Sequence, residues 1–204
     1  MANTVIGESI NGNAPDGIRI PPGKNIIFDG GPTFGATSFV ATWFMPSIWP
    51  WTPAIAAGGL GLTANTVGVV RYFLPFQISV TRIVAEVTSP VGGQFFGISI
   101  YNAAGTTKLV DSGAISAAAG AVVSATIAAA AAGPGDVLIA FNASNAGISF
   151  RVFAVQSTIG AIVNNGTGNV FTAANAAVAG VNPATLGVLT PSLAWNLPIC
   201  KFQA

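Results

Sequence analysis

The residues able to do acid–base, nucleophilic or metal chemistry are few in this chain, and their spacing brings none of them together. There is no histidine among the 204 residues, which removes the Ser-His-Asp and Cys-His mechanisms, zinc sites with imidazole ligands, and any imidazole switch near neutral pH. The one cysteine, Cys200, sits among Leu197, Pro198, Ile199 and Phe202 and reads as a small core hydrophobe rather than a reactive thiol. Alone, it forms no internal disulfide, which fits folding in a reducing cytosol. The six carboxylates are Glu8, Asp16, Asp29, Glu86, Asp111 and Asp136, no two closer than eight positions. A glycosidase pair needs two carboxyls roughly 5 to 9 Å apart, and nothing in the sequence marks such a pair. Asp111 and Asp136 stand in the turns DSG and GPGD, where a short acceptor side chain caps backbone N–H groups.

Calcium asks for about six to eight oxygen ligands, and no Asp-x-Asp-x-Asp run supplies them. The glycine-rich loops GGPTFGAT and GGLGLT lack the Lys-Ser/Thr ending of a phosphate loop and read as turns. Two sequons, Asn142-Ala143-Ser144 and Asn165-Gly166-Thr167, matter only in a secretory protein. The expectation is a non-enzymatic chain without catalytic residues, cofactor or metal.

The composition is the larger anomaly. Only 6% of residues are charged, against about 25% in an ordinary soluble chain, while 51% are hydrophobic and the mean hydropathy is +0.67. Seven Lys plus Arg against six Asp plus Glu leave a net charge of +1, so there is no basic stripe for nucleic acid or anionic lipid and no acidic tail for a basic partner. The length suits one domain with an arm attached.

High hydropathy with few charges first suggests a membrane protein. No Lys or Arg precedes Arg19 and Met1 to Asn13 is polar, so the charged and apolar regions of a signal peptide are missing and export by that route is not expected. Phe34 to Trp51 is apolar, but Pro46 and Pro50 break it before the ~20 residues that span a bilayer. Ala114 to Gly135 holds 22 residues without a charge. Its apolarity is mostly alanine, which drives insertion weakly. A soluble Ala-rich helix is the other alternative, opposed by Gly120 and by Val122, Val123, Thr126 and Ile127, which favour a pleated strand. A strand over Ala121 to Ala128, followed by a small-residue loop, is the preferred reading.

Elsewhere short apolar–polar alternations are separated by Gly, Pro, Asn and Ser clusters. Period 2 places Ile83, Ala85 and Val87 on one face of VTRIVAEV, Phe96, Ile98 and Ile100 on one face of FFGISIY, and Ile148, Phe150 and Val152 on one face of ISFRVFAV. With VVRYFLPF, VLIAF and a last strand over Trp195 to Phe202, six or seven strands lie between Val67 and Phe202. That number fits an all-β, jelly-roll-like sandwich. Asn164 to Ser192 is less regular and reads as a long excursion with one strand, of the kind that is functional or docked against a partner.

Residues 1–66 differ in texture and are expected to form an extended N-terminal arm ahead of a sandwich at 67–204. One strand is expected at Asn25 to Phe28. Trp43, Trp49 and Trp51 lie beside Phe39, Phe44 and Met45, and each aromatic buries on the order of 150 to 250 Å². These six residues are the candidate assembly interface. Two other readings stand beside it: that the tryptophans are core of the same domain, or that they form a platform on which a sugar stacks.

The run RYFLPFQISVTRIVAEVTSPVGGQ, then GISIYNAAGTTKLVDSGAIS, a Pro-Gly turn, VLIAFNAS and the closing PATLGVLTPSLAWNLPICKF resembles a β-sandwich domain recurrent in virion proteins of tailed bacteriophages. The resemblance covers roughly Val69 to Phe202, and the Ala-rich strand departs from the bulkier pattern of that family. It implies a structural role in a phage particle: a capsid decoration or cement protein, or a head-fibre subunit, commonly trimeric. It further implies synthesis in the host cytoplasm, residence in the virion, and contact with the major capsid or tail protein through the arm. The alternative role is a tail-fibre or baseplate module that binds a host surface glycan through aromatics such as Trp51 or Tyr101. A depolymerase using Asp111 or Asp136 is the least supported.

Overall fold

Alternating apolar residues can be buried only if something covers the face they share, and here two sheets cover each other. The structure, a computed structural model, describes residues 38–40, 55–74, 77–153, 170–192 and 196–203. These hold strands and no helix. In chain order the strands are β1 (Ser38–Val40), β2 (Ile55–Gly59), β3 (Gly68–Leu74), β4 (Ile78–Ser89), β5 (Phe95–Asn102), β6 (Lys108–Asp111) and β7 (Ile115–Ser116). There follow β8 (Val122–Ala132), β9 (Gly135–Ala143), β10 (Ser149–Phe153), β11 (Val170–Ala173), β12 (Leu189–Pro191), β13 (Leu197–Pro198) and β14 (Cys200–Gln203).

All pairings are antiparallel and fall into two sheets. Eight strands carry the frame: β2, β10, β4 and β8 are neighbours in the first sheet, and β3, β9, β5 and β6 in the second. Numbered by sequence among those eight, the orders are first, eighth, third, sixth and second, seventh, fourth, fifth. This nesting is the jelly-roll order, two Greek keys wrapped into one sandwich. The remaining short strands widen the sheets: β1, β13 and β14 in the first, β7, β11 and β12 in the second.

The inward positions are those that the alternation predicts. Ile83, Ala85 and Val87 of β4, Phe96, Ile98 and Ile100 of β5, and Phe150 and Val152 of β10 are all buried, together with Val137, Ile139 and Phe141 of β9. Phe96 and Phe150 meet edge to face across the two sheets, 5.0 Å between centroids at 72°, the arrangement that ring quadrupoles favour.

Three elements differ from the sequence reading. The Ala-rich strand runs four residues further, to Ala132, because its register against β4 shifts between Val80↔Ala130 and Arg82↔Thr126. Ile127–Ala129 stand against Thr81 alone, so β8 carries two extra residues in a bulge, after which pairing resumes. The last strand is split: β13 pairs with β10 and β14 with β4, the break falling after Pro198, which has no N–H to give a ladder. The excursion over Asn164 to Ser192 contributes two strands, β11 and β12, and residues 174–188 between them lie on the outer face of the second sheet. There Ala177 and Leu186 join Val67, Val69, Tyr101, Leu138, Ala140 and Phe171 in a second, smaller core. This strap is why β5 and β9 are buried on both faces along most of their length.

The chain divides into two units, Met1–Thr33 and Phe34–Ala204, and every described residue belongs to the second. β1 and β2 come from the stretch read as an arm, and both are paired in the first sheet, with β14 and β10 respectively. The expected strand at Asn25 to Phe28 lies outside the described residues.

Candidate functional site

Of the six candidate interface residues, Phe39 is in β1, in register with Phe202 of β14. Trp43, Phe44, Met45, Trp49 and Trp51 lie outside the described residues. Tyr101, the other aromatic considered for stacking a glycan, is fully buried beneath the strap. Its hydroxyl donates to the Pro183 carbonyl, and burial, with the Asp111 charge nearby, pushes its pKa up. A sugar cannot reach it, which removes Tyr101 from the glycan reading.

The densest polar constellation lies under the strap. Where β9 and β5 run side by side, Asn142 is in register with Gly97 and Ala140 with Ser99. The Asn142 amide nitrogen donates to the Gly180 carbonyl at 3.1 Å and to Oδ1 of Asn182 at 2.9 Å. Asn182 in turn donates to Ser99 Oγ at 2.9 Å, and Ser99 donates to Asp111 Oδ1 at 2.8 Å. Lys108 Nζ closes the circuit, reaching Asp111 Oδ2 at 2.6 Å and the Asn182 carbonyl at 2.8 Å. Asp111 also accepts the Gly113 N–H at 3.2 Å, the turn-capping role expected of it. Asn142, Ser99 and Asn182 are each at most 2% exposed, so these bonds are made in a low-dielectric setting where leaving one unmade is costly.

This constellation holds the strap down rather than presenting groups to a substrate. The strap touches the sheet through a two-residue turn: Val178 and Val181 exchange both backbone hydrogen bonds, with Ala179 at φ 48° and Gly180 at φ 86°, the pattern of a type I′ hairpin. At its closest approach a Cβ on Gly97 would lie 2.0 Å from the Gly180 carbonyl oxygen, so only glycine at position 97 lets the turn seat. The sequence carried a faint signal for this in the glycine at the centre of an otherwise bulky strand, FFGISIY. Asn142 was legible only as part of a sequon, and Asn182 not at all.

The described residues carry eight charged side chains: Arg71, Arg82, Glu86, Lys108, Asp111, Asp136, Arg151 and Lys201. Four of them form the pairs Lys108–Asp111 and Arg151–Glu86. Arg71 lies over the Phe171 ring at 5.8 Å, and Arg82 donates to Ser124 Oγ at 2.8 Å. Asp136 is exposed at the start of β9, opposite Phe73. Arg151 grips Glu86 with two bonds, Nε to Oε2 at 3.1 Å and Nη2 to Oε1 at 2.8 Å. Those bonds hold the Glu86 carboxyl below its ordinary range, against a smaller upward push from desolvation. A depressed carboxylate stabilises the fold above its unfolded pKa of about 4.3 and loses that contribution as pH falls through the lower folded value. The pair is about a third exposed, so solvent screens it and its contribution is small. Arg151→Gln is therefore expected to return the Glu86 titration, followed by carboxyl NMR, to the ordinary glutamate range with little change in melting temperature.

Cys200 is buried and reduced, and burial pushes its thiol pKa up. A thiol reagent is expected to leave it unmodified in the native protein and to label it only as the chain unfolds. Between the sheets, a cavity lined by Leu60, Ala85, Phe96, Phe141 and Phe150 holds about 10 Å³, far below the ~300 Å³ of the smallest ligand pockets. Among the described residues no three His, Cys, Asp or Glu side chains cluster to hold a metal ion, and no helix is long and apolar enough to cross a membrane. Comparison with protein-family models, with curated proteins and with solved structures gives no match.

Proposed function

We propose that the chain is a non-enzymatic structural subunit of a tailed-phage particle. It is a capsid-associated decoration, cement or head-fibre protein that forms homo-oligomers, trimers in the form the resemblance implies, and is attached through its N-terminal region to the major capsid or another virion protein. The observation that carries this reading is the match between family-like segments and elements. RYFL falls on β3, ISVTRIVAEVTS on β4, GISIYN on β5, KLVD on β6, VLIAFNA on β9 and CKF on β14, in a jelly-roll order. The electrostatics support it too. With 6% of its residues charged, and four of the eight charges among the described residues spent on each other, the chain is far from the roughly 25–35% charged surface that keeps a free monomer soluble. A subunit fixed among neighbours has less water to face.

The direct test is a tagged copy expressed during infection and located by electron microscopy. Label on the shell of mature particles is the expected result; abundant tagged chain absent from every particle would contradict it. Attachment is best probed by removing residues 1–33, which leaves β1 and β2 in their sheet, where a cut at position 66 would take both strands away.

A further inference from the structure

A sandwich ends in strand edges, and nearly all of those described here are blunted. The second sheet stops at β12, three residues long and carrying Pro191, and at β6 and β7, four and two residues long, the longer bearing Lys108 and Asp111. In the first sheet β2 has five residues and ends in Gly58 and Gly59. Shortness, proline, charge, glycine and bulges are the devices by which sheets avoid unwanted pairing. β8 has eleven residues and uses only the last, at Ile127–Ala129; its first five residues, Val122–Thr126, carry no charge, proline or glycine, and among the described residues β8 pairs with β4 alone.

The parity of its hydrogen bonds follows from one contact. The Val87 N–H donates to the Ala121 carbonyl at 2.9 Å, so by strand alternation the backbone groups of Ala121, Val123 and Ala125 face β4. Those of Val122, Ser124 and Thr126 face the open edge. The side chains of these last three are exposed, Val122 at 69%. On the inner face Val123, Ala125, Ile127 and Ala130 pack against the core yet remain only partly buried. Water can satisfy the open backbone groups, but only a further strand satisfies them and also completes the apolar face.

We propose that this strand is β8 of a second copy, paired antiparallel about a two-fold axis at Ser124; the proposal deepens the assembly reading above and rests on it. The bulge at Ile127–Ala129 limits the straight segment to Val122–Thr126, and the dyad that uses all five residues sets Val122 against Thr126, Val123 against Ala125 and Ser124 against Ser124. Outward residues then meet outward ones and inward meet inward, with no side chain larger than valine at the seam. The charges agree as well. β4 carries two, Arg82 in register with Thr126 and Glu86 in register with Val122, so across the dyad the row of Arg82 ends on Glu86 of the other copy, and the reverse. At three strand spacings, about 14 Å, the attraction is weak, but it has the right sign, whereas a register that opposed Arg82 to Arg82 would not. The contact is isologous, so in a threefold assembly it joins a subunit of one oligomer to a subunit of its neighbour.

Cysteine cross-linking of the full chain tests the register, since the native Cys200 is buried and silent. Under mild oxidation Ser124→Cys is expected to form a covalent dimer, its Cα atoms falling about 5.5 Å apart, within disulfide reach. Val122→Cys, also at an exposed position, is expected not to link to itself, because the two copies of that position are offset by about 14 Å. It should link when mixed with Thr126→Cys, a pair that also leaves Ser124 and its Arg82 bond intact. Ser124→Lys should abolish pairing in sedimentation equilibrium while leaving the melting temperature of the subunit in place. If the wild-type chain is oligomeric but positions 122 and 124 link alike, or neither links, the β8 contact is wrong and the assembly reading stands. A wild-type chain that is monomeric at every concentration overturns both.

Discussion

Gly97→Ala is expected to lift the strap off the second sheet. The added methyl would sit 2.0 Å from the Gly180 carbonyl oxygen and 2.9 Å from the Asn142 amide nitrogen, and neither can yield cheaply. Gly180 is itself pinned, since a Cβ there would meet Phe95 Cβ at 2.6 Å, and the Asn142 nitrogen is held by its two acceptors. The turn must therefore back away, losing the bonds from Asn142 to Gly180 and Asn182. Overpacking of a tight site and the loss of buried hydrogen bonds together cost about 3 kcal/mol, which for a chain of this size lowers the melting temperature by roughly 6–12 °C. Hydrogen exchange should localise the effect, with protection falling at Ala177, Val181 and Leu186 while the amides of β4, and those of β8 that face it, keep the protection they have in the wild type. Uniform loss of protection in both sheets would mean that the strap is not a separable element.

Asn182→Ala is expected to destabilise by a similar amount through the opposite defect. No atom clashes; instead Ser99 Oγ and the Asn142 amide each lose a partner in a place where Asn182 is 2% exposed. Each keeps its other bond, to Asp111 and to the Gly180 carbonyl, but an unmet buried hydrogen-bonding site costs about 1–3 kcal/mol, so a total near 3 kcal/mol is expected, read as a shift in the denaturation midpoint without a change in slope. The double variant with Gly97→Ala should be less destabilised than the sum, because both changes remove the same bonds. Full additivity would show that the two residues do not act through one strap.

The frame of this fold was legible because its strands obey period 2. Ile83, Ala85 and Val87 declare their inner face with no knowledge of β14 or β8, and the turn chemistry between segments gave a count close to that of the eight strands that carry the jelly roll. The bulge was not legible: in a run of alanines no residue distinguishes the inward side from the outward, so the doubled exposure at Ala128 and Ala129 leaves no trace in the letters. The strap was missed for a different reason. Tyr101 and Ser99 occupy the alternate positions of β5 that alternation assigns to solvent, and their burial depends on contacts with Asn182 and Pro183, roughly eighty positions away. Long-range cover of an outward face cannot be read from local spacing. The aromatic stretch from Phe39 to Trp51 was conspicuous from its composition, and Phe39 alone among its candidates belongs to a described strand.

The claim on which the rest depends is that a surface this poor in charge belongs to a subunit that meets its own kind. Light scattering coupled to size exclusion, on the full chain across a hundredfold dilution, tests it most directly. The expected result is a mass that stays at a multiple of 20.4 kDa and does not fall with dilution. A soluble, well-folded species of 20.4 kDa at every concentration, with no affinity for phage particles, would contradict it.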